Sequence, residues 1–273
     1  MVNNSNDIAI GFVLYNPELA FFNRLELLIN SGHKPFIYDN SPKLFKINSL
    51  ECHYYSSDKN RGLGVGLKVI CSKAYELGYK GLIIFDQDTS FNKITLTIIK
   101  SFYSEHHEML TQSYTSVVFD SEEYVNQEQI DYKKFKNTFL SRNSGSLFIL
   151  KNLKEIGWHN PSYFVDGIDY EYNLRSILNG YKVAKFTQTS GFDHISEQGD
   201  ANYKLFNYNL KFRRYKWNRI KDYLKSSIRI MYNALRYLQI KFFILIFRQL
   251  LIYIFTQLTI FIISSILKMD QQR

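Results

Sequence analysis

Between Ile8 and Thr89, apolar runs of strand length stop at polar residues and alternate with segments of helical spacing. "IAIGFVLY" (Ile8 to Tyr15) is continuous and apolar, and a turn at Asn16-Pro17 follows it. "ELAFFNRLELLINSG" then sets Leu19, Phe22, Leu25 and Leu28/Ile29 at helical spacing and ends at Gly32. "KPFIYDNS" predicts a short strand ending in Asp39-Asn40, and a loop carrying "NRGLGVG" leads to "LKVICSKAYELGY", a helix closed by Gly78. In "KGLIIFDQDT" the apolar run Leu82 to Phe85 is cut off by Asp86 and Asp88. Strand, helix, strand, helix, strand calls for right-handed crossovers and predicts an α/β domain on a parallel sheet. Such sheets bind ligands beyond the carboxyl ends of their strands. The pattern brings Tyr15/Asn16, Asp39/Asn40 and Asp86/Asp88 to that edge.

The chain of 273 residues, 45% of them hydrophobic, is long enough for one large α/β domain and an appendage. A net charge of +9 points to an anionic partner: nucleic acid, a phosphate-bearing small molecule or a membrane surface. The two cysteines, Cys52 and Cys71, stand in no metal-binding spacing. They argue against a disulfide framework, and with no secretory signal at the N-terminus they predict a cytosolic setting. Between Tyr203 and Arg248 the many lysines and arginines meet a single acid, Asp222. Beyond them "QLLIYIFTQLTIFIISSIL" (Gln249 to Leu267) carries no charge and has about the length of a bilayer core. This shift predicts a domain of residues 1–202 and a basic, then apolar, helical tail of residues 203–273.

A single Asp at a strand end is often only a turn or cap residue. Two in a D-x-D arrangement, on a basic chain, point instead to a divalent cation. Hard carboxylate oxygens suit Mg²⁺ or Mn²⁺, and Mg²⁺ is usually completed by substrate phosphates. In "VDGIDYEYNLR" (Val165 to Arg175), Asp166, Asp169 and Glu171 crowd the start of a helix that stops at Gly180. The helix dipole favours such acids by about 0.3–1 kcal/mol each, so capping is one reading. The other is a general base, since an ordinary Asp, with pKa near 3.9, is ionised at neutral pH.

"NRGLGVGLKVICSKAYELGYKGLIIFDQDT" resembles the core of the family 2 glycosyltransferases of GT-A fold, and its "FDQDT" is similar to that of bacterial rhamnosyltransferases that build O-antigen and capsule glycans. The resemblance continues through "NSGSLFIL" (Asn143 to Leu150), "IGWHNPSYFVDGIDYEYNLRSILNGYKV" (Ile156 to Val183) and His194 in "GFDHISEQG", covering residues 8–200. It implies a GT-A sheet with a C-terminal helical extension, and an inverting, metal-dependent sugar transfer. The implied donor is a nucleotide diphosphate-sugar, dTDP-L-rhamnose by this likeness, held by Tyr15, Asp39, Asn40, Arg61 and Asp86. Mg²⁺ or Mn²⁺ would sit on Asp86, Asp88 and His194. Asp169 would be the base, supported by Glu171, with Ser144, Gly145 and Asp166 on the acceptor side. Lys68 stands where relatives often carry Asn, and Gly199 follows His194 at a longer spacing than in the family.

In the tail, Ile220, Tyr223/Leu224, Ile228, Met231, Leu235 and Leu238 repeat at helical spacing beside a basic stripe of Lys221, Lys225 and Arg229. That is the pattern of a helix on an anionic membrane surface. A nucleic-acid partner is not expected, because the aliphatic run after Arg248 has no use there. Lys241, Arg248/Gln249, Thr256/Gln257 and Ser264 form a narrow polar stripe that favours an interfacial or self-packing helix, including one in a homo-oligomer, over a simple span. The expected protein thus works at the cytoplasmic face of the cell membrane on a lipid-linked acceptor. A nucleotidyltransferase would normally show a Gly-rich basic loop after the first strand, where "YNPELAFF" has none. A noncatalytic scaffold would not need Asp86, Asp88 and Asp169 together.

Overall fold

The computed structural model describes residues 7–42, 51–90, 93–120, 135–189, 192–194, 201–205 and 208–270, with side chains for all of these except 193–212 and 264–270. Two compact units divide the chain, Met1–His194 and Ile195–Arg273.

The first unit begins with β1 (Ile8–Leu14), α1 (Leu19–Asn30), β2 (Phe36–Asp39), β3 (His53–Ser56), α2 (Leu63–Glu76), β4 (Gly81–Asp86) and β5 (Thr89–Ser90). It continues with α3 (Lys93–Ser113), β6 (Tyr114–Phe119), β7 (Phe135–Thr138), β8 (Ser146–Ile149), α4 (Leu150–Glu155), α5 (Ile168–Leu178), β9 (Lys182–Phe186) and β10 (Asp193–His194). Eight strands form one sheet in the order β3-β2-β1-β4-β8-β6-β9-β7. Its β3-β2-β1-β4 half is parallel, as the alternating pattern predicts. Beyond it β8 runs antiparallel to both β4 and β6, and β7 antiparallel to β9, so the sheet is mixed. Strands covered on both faces read as unbroken apolar runs, and β4 is buried from Gly81 to Phe85.

Register decides what meets at the sheet's carboxyl edge. Leu14 pairs with Asp39 and Val13 with Asp86, so the ends of β2, β1 and β4 lie side by side. Under them is an aromatic core in which Phe12 meets Phe21 edge to face at 5.3 Å and Phe102 packs on Phe119 at 5.4 Å.

Two helix readings need correction. In α1 the buried face is Phe21, Leu25 and Leu28, whereas Leu19 is exposed. Near a helix start, spacing alone does not show which neighbour turns inward. The "NRGLGVG" segment is not a loop throughout, since α2 starts at Leu63 and takes in Gly64 and Gly66. A Cβ on Gly64 would lie 2.6 Å from the Asn160 carbonyl oxygen, and one on Gly66 would lie 2.6 Å from Val13. These glycines serve close approach of helix to strand and loop, not chain flexibility.

The second unit holds β11 (Ala201–Leu205) paired antiparallel with β12 (Tyr208–Phe212), then α6 (Trp217–Arg236) and α7 (Ile240–Asp270). The buried positions of α6 are Ser226, Ser227, Ile230 and Ala234. The stripe read as its apolar face is largely outward, with Ile228, Leu235 and Leu238 exposed. Small residues have taken the packed side, which lets a neighbouring backbone come close.

Candidate active site

The site is built from the β4 end upward. Gln87, between the two acids, clamps the end of β1: its Oε1 accepts from the Tyr15 N–H at 2.8 Å, and its Nε2 donates to the Tyr15 carbonyl at 3.2 Å. Arg24 of α1 donates to the Gln87 carbonyl at 2.6 Å. Ser144 holds the turn from below, its hydroxyl accepting from the Asp86 N–H at 3.0 Å and sharing a hydrogen bond with Thr89 at 3.1 Å. The D-x-D turn is thus fixed by its middle residue and its backbone, with Asp86 exposed and Asp88 half-buried at its rim.

α5 brings the third acid. Asn143 Nδ2 donates to Asp169 Oδ1. On the other side of the same amide, Asn143 Oδ1 meets His159 Nε2 at 3.4 Å, and His159 Nδ1 lies 3.8 Å from the Cys71 sulfur. His159 is fully buried and stacks on Tyr172 with centroids 5.3 Å apart. Burial first, then the Arg175 charge, holds its imidazole down to about 3, so it is neutral and has one N–H. That proton belongs on Nε2, pointing at Asn143, and the Cys71 thiol, which burial keeps protonated, donates to Nδ1. The chain of bonds orients the Asn143 amide with its N–H₂ toward Asp169.

Asp169 is not an ordinary carboxyl. Burial pushes it up to about 7, the Asp86 charge pushes the same way, a hydrogen bond from the Asn143 backbone opposes, and Asp166 raises it further. The sequence expectation of a pKa near 3.9 is therefore corrected. The cause is tertiary: acids far apart in the chain face each other across the sheet edge.

Other predicted residues take different places. Glu171 is buried and both its oxygens meet Arg175, Oε1 with Nε at 2.9 Å and Oε2 with Nη2 at 3.1 Å. Arg175 also donates to the carbonyls of Ile156 and Gly157, so the pair ties α5 to the end of α4. The Glu171 carboxylate, expected in a supporting place, is engaged in holding the helix that carries Asp169. Asp39, expected to hold the donor, is 0% exposed and accepts from the Ser41 N–H and the Tyr54 hydroxyl, both at 2.8 Å. Asn40 is buried too, receiving the Arg61 N–H at 2.9 Å and donating to the Gly62 carbonyl at 3.2 Å. Both shape the rim from beneath, while Tyr15 is exposed at it. The Arg61 side chain is half exposed, 3.6 Å from exposed Asp58, a pair of small energetic worth. Gly145 has φ +76, and a Cβ there would meet the Phe192 ring at 2.8 Å, so only glycine suits this bend beneath Asp86. The His194 side chain lies outside the described residues; its backbone in β10 pairs with Thr89 of β5, one residue past Asp88.

For a divalent cation, Asp86 and Asp88 offer hard oxygens, and the mutual repulsion of Asp86 and Asp169 marks a place that favours positive charge. Among the described residues no cluster of three or more His, Cys, Asp or Glu side chains makes a complete metal cage. Two carboxylates with substrate oxygens are the donor set usual for Mg²⁺. The residues therefore fit a cation shared with a phosphate ligand.

By sequence the chain matches no protein-family model and no curated protein. By structure it is similar to S. aureus TarS, with TM-score 0.54 and 14% identity over 84% of this chain and 39% of that one. TarS residues 1–349 give TM-score 0.52 at 16% identity. GalNAc-T7, crystallised with UDP, GalNAc and Mn²⁺, gives TM-score 0.54 at 12% identity over 80% of this chain. The fold is that of the GT-A glycosyltransferases. The chain spans 39% of the TarS chain and 47% of the GalNAc-T7 chain.

Sequence reasoning missed Gln87 as a clamp and His159 as an orienting residue. Only the polar residue inside "FDQDT" and the histidine within "IGWHNPSY" were available as signals, and neither names its partner.

Proposed function

We propose that this protein is a metal-dependent, inverting glycosyltransferase that moves a sugar from a nucleotide diphosphate-sugar to a hydroxyl of a glycan acceptor. The observation that carries this reading is Asp169, held by Asn143 at the carboxyl edge and facing the D-x-D acids with its pKa raised to about 7. A base poised there is ionised in useful fraction at neutral pH and is a stronger proton acceptor than an ordinary Asp. The acceptor hydroxyl attacks the anomeric carbon, its proton passes to Asp169, and the nucleotide diphosphate leaves from the opposite face. Asp86 and Asp88 would hold a divalent cation, which would supply neutralisation of the charge on the departing diphosphate. Tyr15 and the rim supported by Asp39 and Asn40 take the nucleotide side, and Ser144, Gly145 and Asp166 the acceptor side. The presence of UDP, GalNAc and Mn²⁺ with GalNAc-T7 supports the donor class and the metal.

The finer reading is dTDP-L-rhamnose as donor and a lipid-linked glycan as acceptor, with the second unit holding the enzyme at the cytoplasmic face of the membrane. The test is a panel of nucleotide diphosphate-sugars with purified protein, scoring diphosphate release with Mg²⁺, Mn²⁺ or EDTA. Metal-dependent release from dTDP-L-rhamnose above all others is expected. Release from another sugar donor would replace the donor and keep the reaction class, while release from none, with or without acceptor glycolipid, would overturn the transferase reading.

A further inference from the structure

α6 and α7 run antiparallel. Tyr223 stacks on Tyr253 with ring centroids 3.9 Å apart, and Tyr215 stacks on the same ring at 5.7 Å. Gln257 bridges the chain before α6, its Oε1 accepting from the Tyr215 N–H at 3.3 Å and its Nε2 donating to the Arg213 carbonyl at 3.0 Å. From the turn at Leu238, α6 therefore lies back along α7 to the level of Gln257. The outward side of α7 is apolar and exposed at Ile244, Phe247, Leu251, Phe255, Leu258 and Ile262. α6 exposes Ile228, Tyr232 and Leu235 on one stripe and, on the adjoining stripe, Lys221, Lys225, Arg229 and Arg236.

We propose that this helical hairpin lies in the plane of an anionic lipid surface, its apolar side in the acyl boundary and its basic stripe among the headgroups, and does not cross the bilayer. The proposal rests on the reading that the protein works at a membrane, and it decides how. Ile240–Ile263 is long and apolar enough to span, and only 17% of its most apolar window is buried. A spanning α7, however, would carry α6 with it. At about 1.5 Å per residue Arg229 sits about 14 Å and Lys225 about 20 Å from the turn at Leu238, both deep within a core about 30 Å thick, with Lys221 one turn further on. Charges at that depth are strongly disfavoured. In the plane the same cations meet anionic headgroups and add to binding. A second copy of the chain would cover the apolar side but set one basic stripe near another, and an anionic surface is the complementary occupant.

The test uses the full chain with Trp158→Phe and Trp217→Phe, which removes both native tryptophans, and one new probe at a time: Ile244→Trp, Leu251→Trp or Leu258→Trp. Each is bound to phosphatidylcholine vesicles containing phosphatidylglycerol, with bromines placed shallow or deep on the acyl chains. The same shallow-weighted quenching at all three positions is the expected result. A Leu251 probe quenched most by deep bromines, with the outer two shallower, means a span; it would overturn the in-plane hairpin and leave the membrane reading standing. No quenching and no co-sedimentation, with a dimer seen by light scattering, would overturn both. In the native background, Lys221→Gln, Lys225→Gln and Arg229→Gln together are expected to lower affinity for the anionic vesicles about a hundredfold. Unchanged affinity would remove the basic stripe from the proposal.

Discussion

Asp169 carries a charge conflict that can be measured in two ways. With a buried carboxyl held above the ordinary Asp range acting as base, kcat should climb with pH through a limb below about 7 and level above it at saturating donor and metal, because the bound cation offsets the Asp86 charge while the effect of burial remains. A flat profile from pH 5 to 8 would take the role away from this residue. Asp169→Asn should reduce kcat by about 10²–10⁴-fold with donor affinity retained. The same change should stabilise the protein at pH 8. The unfolded carboxyl ionises near 3.8 and the folded one near 7, so between those values the unfolded state binds fewer protons and stability falls as pH rises. The Asn variant escapes this loss, and its urea midpoint should exceed that of the native protein at pH 8 by an equivalent of about 1–3 kcal/mol, with the gap closing toward pH 4. Asp88→Ala should abolish metal-dependent turnover while thermal unfolding stays near native; full activity after EDTA treatment would rule out the cation. His159→Leu leaves Asn143 without its orienting partner, and a loss of about ten- to a hundredfold in kcat is expected with KM for donor little changed.

At the scale of elements, the site depends on how closely α2 approaches the loop before α5. A Cβ on Gly64 would lie 2.6 Å from the Asn160 carbonyl oxygen and 2.7 Å from that of Tyr163, and the Leu63 N–H donates to the Phe164 carbonyl at 2.6 Å. Backbone atoms cannot yield as a side-chain tip can. Gly64→Ala should therefore cost about 1–3 kcal/mol in urea unfolding and lower activity by displacing the loop that leads to Asp166 and Asp169. Lys68→Ala, at an exposed position of the same helix, should stay within about 0.5 kcal/mol of native. A Gly64→Ala protein as stable and active as the Lys68→Ala protein would show that the contact relaxes freely.

At the scale of the whole molecule, the chain folds as two compact units. In the reaction we propose, chemistry would belong to the sheet edge of the first, and access to a lipid-linked acceptor to the helical hairpin of the second. Removing residues 195–273 should preserve slow, metal-dependent donor hydrolysis while transfer to acceptor embedded in vesicles drops by at least tenfold, an effect of order the avidity lost with a surface anchor. Equal transfer to vesicle-borne and detergent-dispersed acceptor by the shortened protein would separate the hairpin from acceptor access.

Much of the fold was determined by local pattern. Continuous apolar runs such as Leu82 to Phe85 suit strands covered on both faces, and the intervening helical spacing forces parallel crossovers, so β1, β2 and β4 and the acids at their ends were readable directly. The sequence also carried the pairing of a basic stripe with an uncharged run in the tail. What it did not carry was any term that depends on distance between remote residues. β8 enters antiparallel between β4 and β6, Gln87 reaches Tyr15, and Glu171 turns to Arg175 because of contacts made only after the chain closes. Asp39 shows the same point in burial: its type and place suggested a donor ligand at the sheet edge, and Ser41 and Tyr54 made it an interior brace. Tertiary structure alone decided that exposed Asp86 and the buried carboxyl of Asp169, more than eighty positions apart, act on each other at one edge, since a pKa is set by the local field and by lost water, and neither is written in a residue's neighbours along the chain.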